Sequence, residues 1–388
     1  MPNASNPPPA GLSPRAVVTA VFFSYAIGLG LWAGSIPALS LHTGLGVAAL
    51  GLALTLHTGA YIAAMAGGGQ LARIVPPRRL MLMALAANLP CYAVLFTADT
   101  PAVLMAALAL LGLGLGLLDL AMNTEGTAVE RDLGRPVLLA MHAAASAAFA
   151  LGALGGSLIA SRAGPGWCAV LVLGVTLPVA LAVCRLGPRA QARVAPLAVP
   201  SRGFGARTGV ARIGIVLGLT IAAEMAAQMF SARFLVSQAA ELAAYAGAGA
   251  AVFAGVQAVV RLLGDALRRR LGDPRVIVIS LALAALGFAT VATSSQFPQS
   301  LLGFALVGLG TACVVPCCFA LIARGAGDGA AAALGMASLV AGAIRLPTPL
   351  VLGAVVAAWS DALAFAGIAG GLLVALVLAR RPGGNRAG

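Results

Sequence analysis

Glu224 and Arg345 each lie near the centre of a long apolar run. An ionised side chain at such a depth costs about 2.5–3.5 kcal/mol to place. Opposite charges there either pair permanently to fix packing or change partners when a proton or an anionic solute arrives. The expectation is that both face a central cavity and pair in one state of a transport cycle, a fixed structural ion pair being the alternative. Pro347 and Pro349 follow Arg345 and should break or kink that run. Asp119 and Asn123 are four residues apart and share a helix face. His142 sits at a matching depth in the next run, so an Asp119–His142 contact is allowed. A histidine beside a carboxylate titrates near physiological pH, which suits a proton relay. Gate closure, or simple satisfaction of two buried polar groups, is the competing reading.

Weaker signals lie around these. His57 and Tyr61 share a face at i, i+4 and could bond a hydroxylated solute, although a histidine in a span equally well bonds a neighbouring helix. Gln228 lies one turn from Glu224, and Gln257 is mid-run in the eighth; both are candidate cavity donors. Tyr25 and Trp32 offer a stacking surface, against plain packing. Cys313, Cys317 and Cys318 have soft-metal character but lack a supporting His or Met cluster, so no metal site is expected. Gly112, Gly114 and Gly116 permit close helix approach and lack the Lys-Ser/Thr ending of a phosphate loop. There is no paired D-x-x-x-D and no convergent Ser-His-Asp set, so neither an enzyme nor a cofactor is expected.

The elements that must position these residues follow from composition. Hydrophobic residues make up 61% of the 388, and charged residues only 9%. Soluble proteins carry about 25% charged residues, so a water-exposed surface cannot be built here. Apolar runs occupy roughly 16–39, 47–72, 80–98, 102–124, 137–160 and 167–184, then 210–236, 245–267, 276–293, 300–323, 330–357 and 362–378. Each is long enough to cross a bilayer as a helix. The net charge of +13 comes entirely from arginine on the basic side, and its placement speaks against nucleic acid. Arginines crowd the even-numbered connections and the two ends, whereas the odd-numbered connections hold only Arg162. This asymmetry places both termini in the cytoplasm and the basic clusters against anionic lipid headgroups. The expected fold is therefore an all-α membrane protein of twelve transmembrane helices in two six-helix bundles. Residues 1–185 and 212–388 form the bundles, and 186–211 form a basic, proline-containing linker.

The halves echo each other. The second run leaves through Gly68-Gly69-Gln70-Leu71-Ala72-Arg73 and Pro76-Pro77-Arg78-Arg79, the eighth through Gly264-Asp265-Ala266-Leu267 and Arg268-Arg269-Arg270. Two parallel six-helix repeats joined by a basic loop make a transporter plan, with the site at mid-depth between them. The whole chain resembles the major facilitator superfamily of secondary transporters, and the two glycine-to-arginine turns resemble its cytoplasmic 2–3 loop signature. The fourth-run exit, Met122-Asn123-Thr124-Glu125-Gly126-Thr127-Ala128-Val129-Glu130-Arg131-Asp132-Leu133-Gly134-Arg135-Pro136, is similar to a branch of bacterial inner-membrane permeases related to the fucose-permease-like group. Arg261-Leu262-Leu263-Gly264-Asp265 is similar to the same branch. Its seventh span tends to read E-G-x-x-x-D-W-S; here Glu224 and Ser231 remain, with Met229 and Phe230 in the Asp-Trp places.

The resemblance implies alternating access, with Arg73, Asp265 and Arg269 as gating residues of the loop signature. Glu130, Arg131 and Arg135 should form inter-loop salt bridges beside a gating His142. The expected function is proton-coupled uptake of a small polar metabolite across the inner membrane. Export of amphiphilic compounds, a non-transporting membrane sensor and a polytopic membrane enzyme are the alternatives. The orientation is directly testable. A cysteine beside Arg162 should label from outside intact cells and one beside Arg135 only after permeabilisation; the reverse pattern would invert the topology.

Overall fold

The protein, seen in a computed structural model, is described over residues 13–186, 204–326 and 329–380, the side chains of 204–207, 265 and 331 excepted. Twelve helical segments are long and apolar enough to cross a membrane. The first six are α1 (Pro14–Thr43), α2 (Val47–Leu71), α3 (Pro77–Phe96), α4 (Pro101–Leu133), α5 (Leu138–Arg162) and α6 (Gly166–Arg185). The seventh run divides into α7 (Phe204–Met229) and α8 (Ser231–Gln238), where the sequence reads as one helix. A 3-10 turn at Ala240–Tyr245 leads into α9 (Ala248–Leu271) and then α10 (Asp273–Ala292). The tenth run is α11 (Phe297–Thr311) with α12 (Val314–Ala326), the eleventh α13 (Ala330–Arg345) with α14 (Thr348–Ala358), and α15 (Asp361–Arg380) is the last.

Prolines account for two of the three breaks. Pro316 has no N–H for the Ala312 carbonyl and crowds it, and the tenth run breaks at Ala312–Cys313. Pro347 and Pro349 act in the same way on Ala343 and Arg345, giving the expected interruption of the eleventh. The bend at Phe230 has no proline. Of the predicted linker 186–211, residues 187–203 lie outside the described residues; its end is already helical, because α7 begins at Phe204.

An even number of crossings puts the start of α1 and the end of α15 on one face, here the terminal face. Within the first group α1 packs on α5, α2 on α4, and α3 between α4 and α6. Within the second, α7 packs on α13 and α15, α10 on α11 and α15, and α9 on α11. The internal repeat is visible in backbone crossings. A Cβ on Gly112 would run into the His57 carbonyl, and one on Gly308 into the Phe253 carbonyl, at the same spacing along the chain. Without side chains at these points, helices approach to backbone contact and gain dispersion in place of the hydrophobic drive that lipid removes.

Two seams join the groups, α5 with α9 and α2 with α14. At the first, a Cβ on Gly247 would overlap the Ala153 carbonyl; at the second, a Cβ on Gly51 would sit 2.5 Å from the Pro349 oxygen and 3.0 Å from the Gly353 Cα. The Leu350 amide also donates to Thr55 Oγ1 at 3.0 Å. These contacts run from the face opposite the termini to mid-depth, while α4 and α12 pack within their own groups. The groups therefore lean together on the opposite face and part toward the terminal face. A valine at Gly51 should wedge the closed face open. Gly51→Val is expected to fold with little change in melting temperature, to label more strongly at a cysteine replacing Ser157 from the opposite face, and to lose transport about tenfold or more. Unchanged labelling would show that this seam does not close the face.

Candidate functional site

The sequence candidates converge on a polar chain at mid-depth. Asp119, on α4, accepts from Tyr61 Oη at 2.5 Å across from α2. Its other oxygen and its backbone carbonyl both accept from Asn123 Nδ2 at 2.9 Å. Tyr25, on α1, lies beside Tyr61 and Asp119. Asn123 Oδ1 in turn meets His142 Nε2 at 3.1 Å. The expected direct Asp119–His142 contact is thus replaced by a bridge, because Asn123, one turn on, occupies the space between them. Phe22 packs edge-on against the His142 ring, with ring centroids 5.0 Å apart.

The second cluster lies in the other group. Gln257 Nε2 donates to Glu224 Oε1 at 2.7 Å and to Thr311 Oγ1 at 3.3 Å. Arg261, one turn after Gln257 on α9, brings Nη2 to 3.9 Å from the same carboxylate oxygen. Its Nη1 donates to Ser146 Oγ on α5 at 2.6 Å, and Ser146 donates to the His142 carbonyl at 3.1 Å. Ser146 therefore ties Arg261 of one group to the His142 backbone of the other, so the two clusters meet at His142, one through its ring and one through its carbonyl. The predicted Glu224–Arg345 pair is not made in this conformation. Arg345 instead lies over the Tyr61 ring, 4.9 Å from its centroid: the end of α13 also reaches α2, where Gly342 meets Ile62 and Leu346 meets Gly59.

Other candidates fall outside this chain. His57 turns away: its Nδ1 meets the Leu108 carbonyl at 3.0 Å and its ring packs on buried Trp32, which is helix packing. Gln228 is half-buried on α7. Glu130 does not bridge loops; Oε2 accepts from the amides of Val137 and Leu138 at 2.8 and 2.9 Å, capping the orphan donors at the start of α5. Arg73, Arg131, Arg135 and Arg269 are exposed toward the terminal face. The Asp265 side chain lies outside the described residues. Cys317 hydrogen-bonds Asp273, and among the described residues no cluster of metal-ligating side chains occurs. On the opposite face a cleft of about 770 Å³ opens between the groups, bordered by Pro37, His42, Ser157 and Arg233, with Arg233 paired to Asp361.

Sequence reasoning passed over Arg261, Ser146 and Thr311. Two of them had a signal: each stands one helical turn after a residue already chosen, Arg261 after Gln257 and Ser146 after His142. It also passed over three ion pairs near the terminal face, at two helix junctions. Arg78 Nε donates to the buried Glu125 at 2.9 Å, joining the start of α3 to α4. In the repeat, Asp273 at the start of α10 takes Arg268 at 2.7 Å and also pairs with Arg324 of α12. The two groups hold the same helix junction with the charges exchanged.

No family model matches the sequence. The chain is 30% identical over 315 residues to an MFS-type transporter of Yersinia pestis, covering 80% of each chain. The chain belongs to the major facilitator superfamily. It is also 28% identical over 314 residues to a transporter of Sinorhizobium fredii, covering 79% of this chain and 82% of that one. Among solved structures, the nucleoside transporter NupG superposes with a TM-score of 0.74 at 14% identity, over 96% of this chain and all of NupG. FucP, in the outward conformation, superposes with a TM-score of 0.63 at 18% identity, over 95% of this chain and 98% of FucP. These relatives are transporters, not enzymes, and the fold is that of a major facilitator: a multi-pass membrane protein with twelve spans.

The Arg78–Glu125 pair carries the prediction that belongs to this geometry. Removing one partner of a buried pair leaves the other uncompensated, at about 3–5 kcal/mol. Glu125→Ala should lower the melting temperature of the purified protein markedly, and adding Arg78→Ala to it should recover part of the loss. A double variant less stable than Glu125→Ala would mean that the pair is not the dominant contact at this junction.

Proposed function

We propose that this major facilitator is a secondary transporter of the inner membrane that takes up a small polar metabolite together with a proton. Both termini are cytoplasmic, so the parted terminal face is the cytoplasmic one. Residues 1–185 and 212–388 rock as two units about the mid-depth site, with 186–211 as the tether. Nothing in the sequence resembles an ATPase, so an ion gradient supplies the driving force.

The observation that supports this most is the pair of polar clusters that meet at His142 across the seam. Its carboxylates, Asp119 and Glu224, sit in opposite groups, and the link between them runs through the Arg261–Ser146 bond. Rocking the groups apart on the opposite face must break that bond and leave Arg261 to Glu224 alone. Protonation of a carboxylate would then be tied to the change of state, since a buried ion that loses a partner is costly unless neutralised. Polar solutes are in keeping with clusters of Tyr, Asn, Gln and Thr groups, and the structural neighbours include a nucleoside transporter and an E. coli fucose–proton symporter. An exporter of amphiphiles would call for an apolar, aromatic lining at this depth.

Proteoliposomes test the reading. Sugars, nucleosides and organic acids are screened for counterflow, and the solute that exchanges is then driven by an imposed pH gradient. The wild type should accumulate it when the outside is acidic. Of Asp119→Asn and Glu224→Gln, the variant that removes the coupling carboxylate should retain counterflow while its response to the gradient falls about tenfold or more. If both variants accumulate solute as the wild type does, the assignment of coupling to these carboxylates ends.

A further inference from the structure

We infer that the solute is a small organic anion whose carboxylate docks on Arg345, and that Asp119 carries the proton that enters with it. This rests on the transporter reading and names the substrate class of the same site. Four ionisable side chains are brought to mid-depth, and three have their charge met by hydrogen bonds. Asp119 accepts from Tyr61 and Asn123; Glu224 accepts from Gln257; Arg261 donates to Ser146. Arg345 is the exception. Its Nε is buried and has no hydrogen-bond partner, and its Cζ lies over the Tyr61 ring, 4.9 Å from the centroid.

A cation–π contact of this kind holds a guanidinium over the ring without using its N–H donors. Those donors form a rigid fork that matches a carboxylate with two parallel bonds. A buried donor left unmet is unfavourable, so the resting arrangement favours arrival of an acceptor. The fork also stands at the right place in the molecule. Arg345 ends α13 at the proline break, with its guanidinium on Tyr61 of the other group, so a ligand there touches both groups and lies beside the link that rocking must remake.

Charge balance supplies the proton. Two carboxylates and two guanidiniums cancel when all four are ionised, so an added carboxylate would leave one net negative charge in a poorly polarisable site. One proton restores neutrality. Asp119 is the nearer acceptor, since Tyr61 both hydrogen-bonds it and underlies Arg345. The groups facing Asp119 are Tyr61 from α2, Tyr25 from α1, Asn123 and, through it, His142, with Arg345 from α13; Arg261 faces Glu224 instead.

The test uses matched probes on the purified full-length protein: gluconate, lactate and benzoate against glucose, propane-1,2-diol and benzyl alcohol. Binding is measured by calorimetry and by thermal stabilisation at pH 6 and pH 8. At least one carboxylate should bind about tenfold or more tightly than its neutral counterpart, and more tightly at pH 6. Arg345→Gln should lose that preference, Arg345→Lys should fall between because a point charge lacks the fork, and Asp119→Asn should bind with a flattened pH response. Ligand-free melting temperatures of the variants, within a few degrees of the wild type, establish that they fold. Equal binding of the neutral series, an unaltered Arg345→Gln, or no binding by either series overturns the proposal. Counterflow of a neutral probe would leave the transporter reading standing while ending this one. A carboxylate that binds through Arg345 but never exchanges would do the opposite.

Discussion

An ion inside a bilayer must find its counter-charge and its hydrogen bonds within the protein, since neither water nor lipid supplies them. That requirement shapes the middle of this molecule more than any other. Asp119 draws in Tyr61 and Asn123; Glu224 draws in Gln257, Thr311 and Arg261. Asp119 thereby ties α4 to α2, and Glu224 ties α7 to α9 and α11, so satisfying one carboxylate fixes the rotation of two or three spans at once. The remaining packing is permissive by comparison, with small residues letting backbones touch and aliphatic side chains filling what is left.

The repeat shows how two sites were made from one plan. Tyr61 and Gln257 stand in equivalent places, one turn beyond the matching His57 and Phe253 crossings, and each reaches a carboxylate of its own group. The carboxylates themselves are not equivalent: Asp119 is on the fourth span and Glu224 on the seventh. The scaffold has kept its symmetry while the chemistry has lost it. The exchanged ion pairs near the terminal face tell the same story, Arg78 with Glu125 in one group and Asp273 with Arg324 in the other. What is retained is a charge pair at the junction, whichever helix supplies the cation.

Much of this was legible in the residues. Twelve spans, the breaking of the eleventh at its prolines and the family follow from hydropathy and local motifs, because apolar length and proline chemistry are local properties. The bend at Phe230 was not legible, having no residue that requires it. Asp119, Asn123, His142, Glu224 and Gln257 were found as polar residues in apolar surroundings. Their pairing was not, because partner choice depends on which helices meet at a given depth, and the sequence carries that only through faces. In this conformation Glu224 meets Arg261 and not the expected Arg345 for that reason: Arg261 lies in a helix whose depth register had to be seen. Glu130, expected in an inter-loop salt bridge, caps α5, a role set by a turn geometry that spacing alone does not display.

The glycine seam has one more consequence. At Gly51, Gly353 and Gly247 the groups meet backbone to backbone, so parting them uncovers peptide carbonyls already bonded along their own helices and little apolar area. Such a joint holds scarcely any hydrophobic energy in either position. At these points the groups can part without breaking a hydrogen bond of either helix, which leaves the polar contacts at mid-depth as the bonds that a change of conformation must exchange.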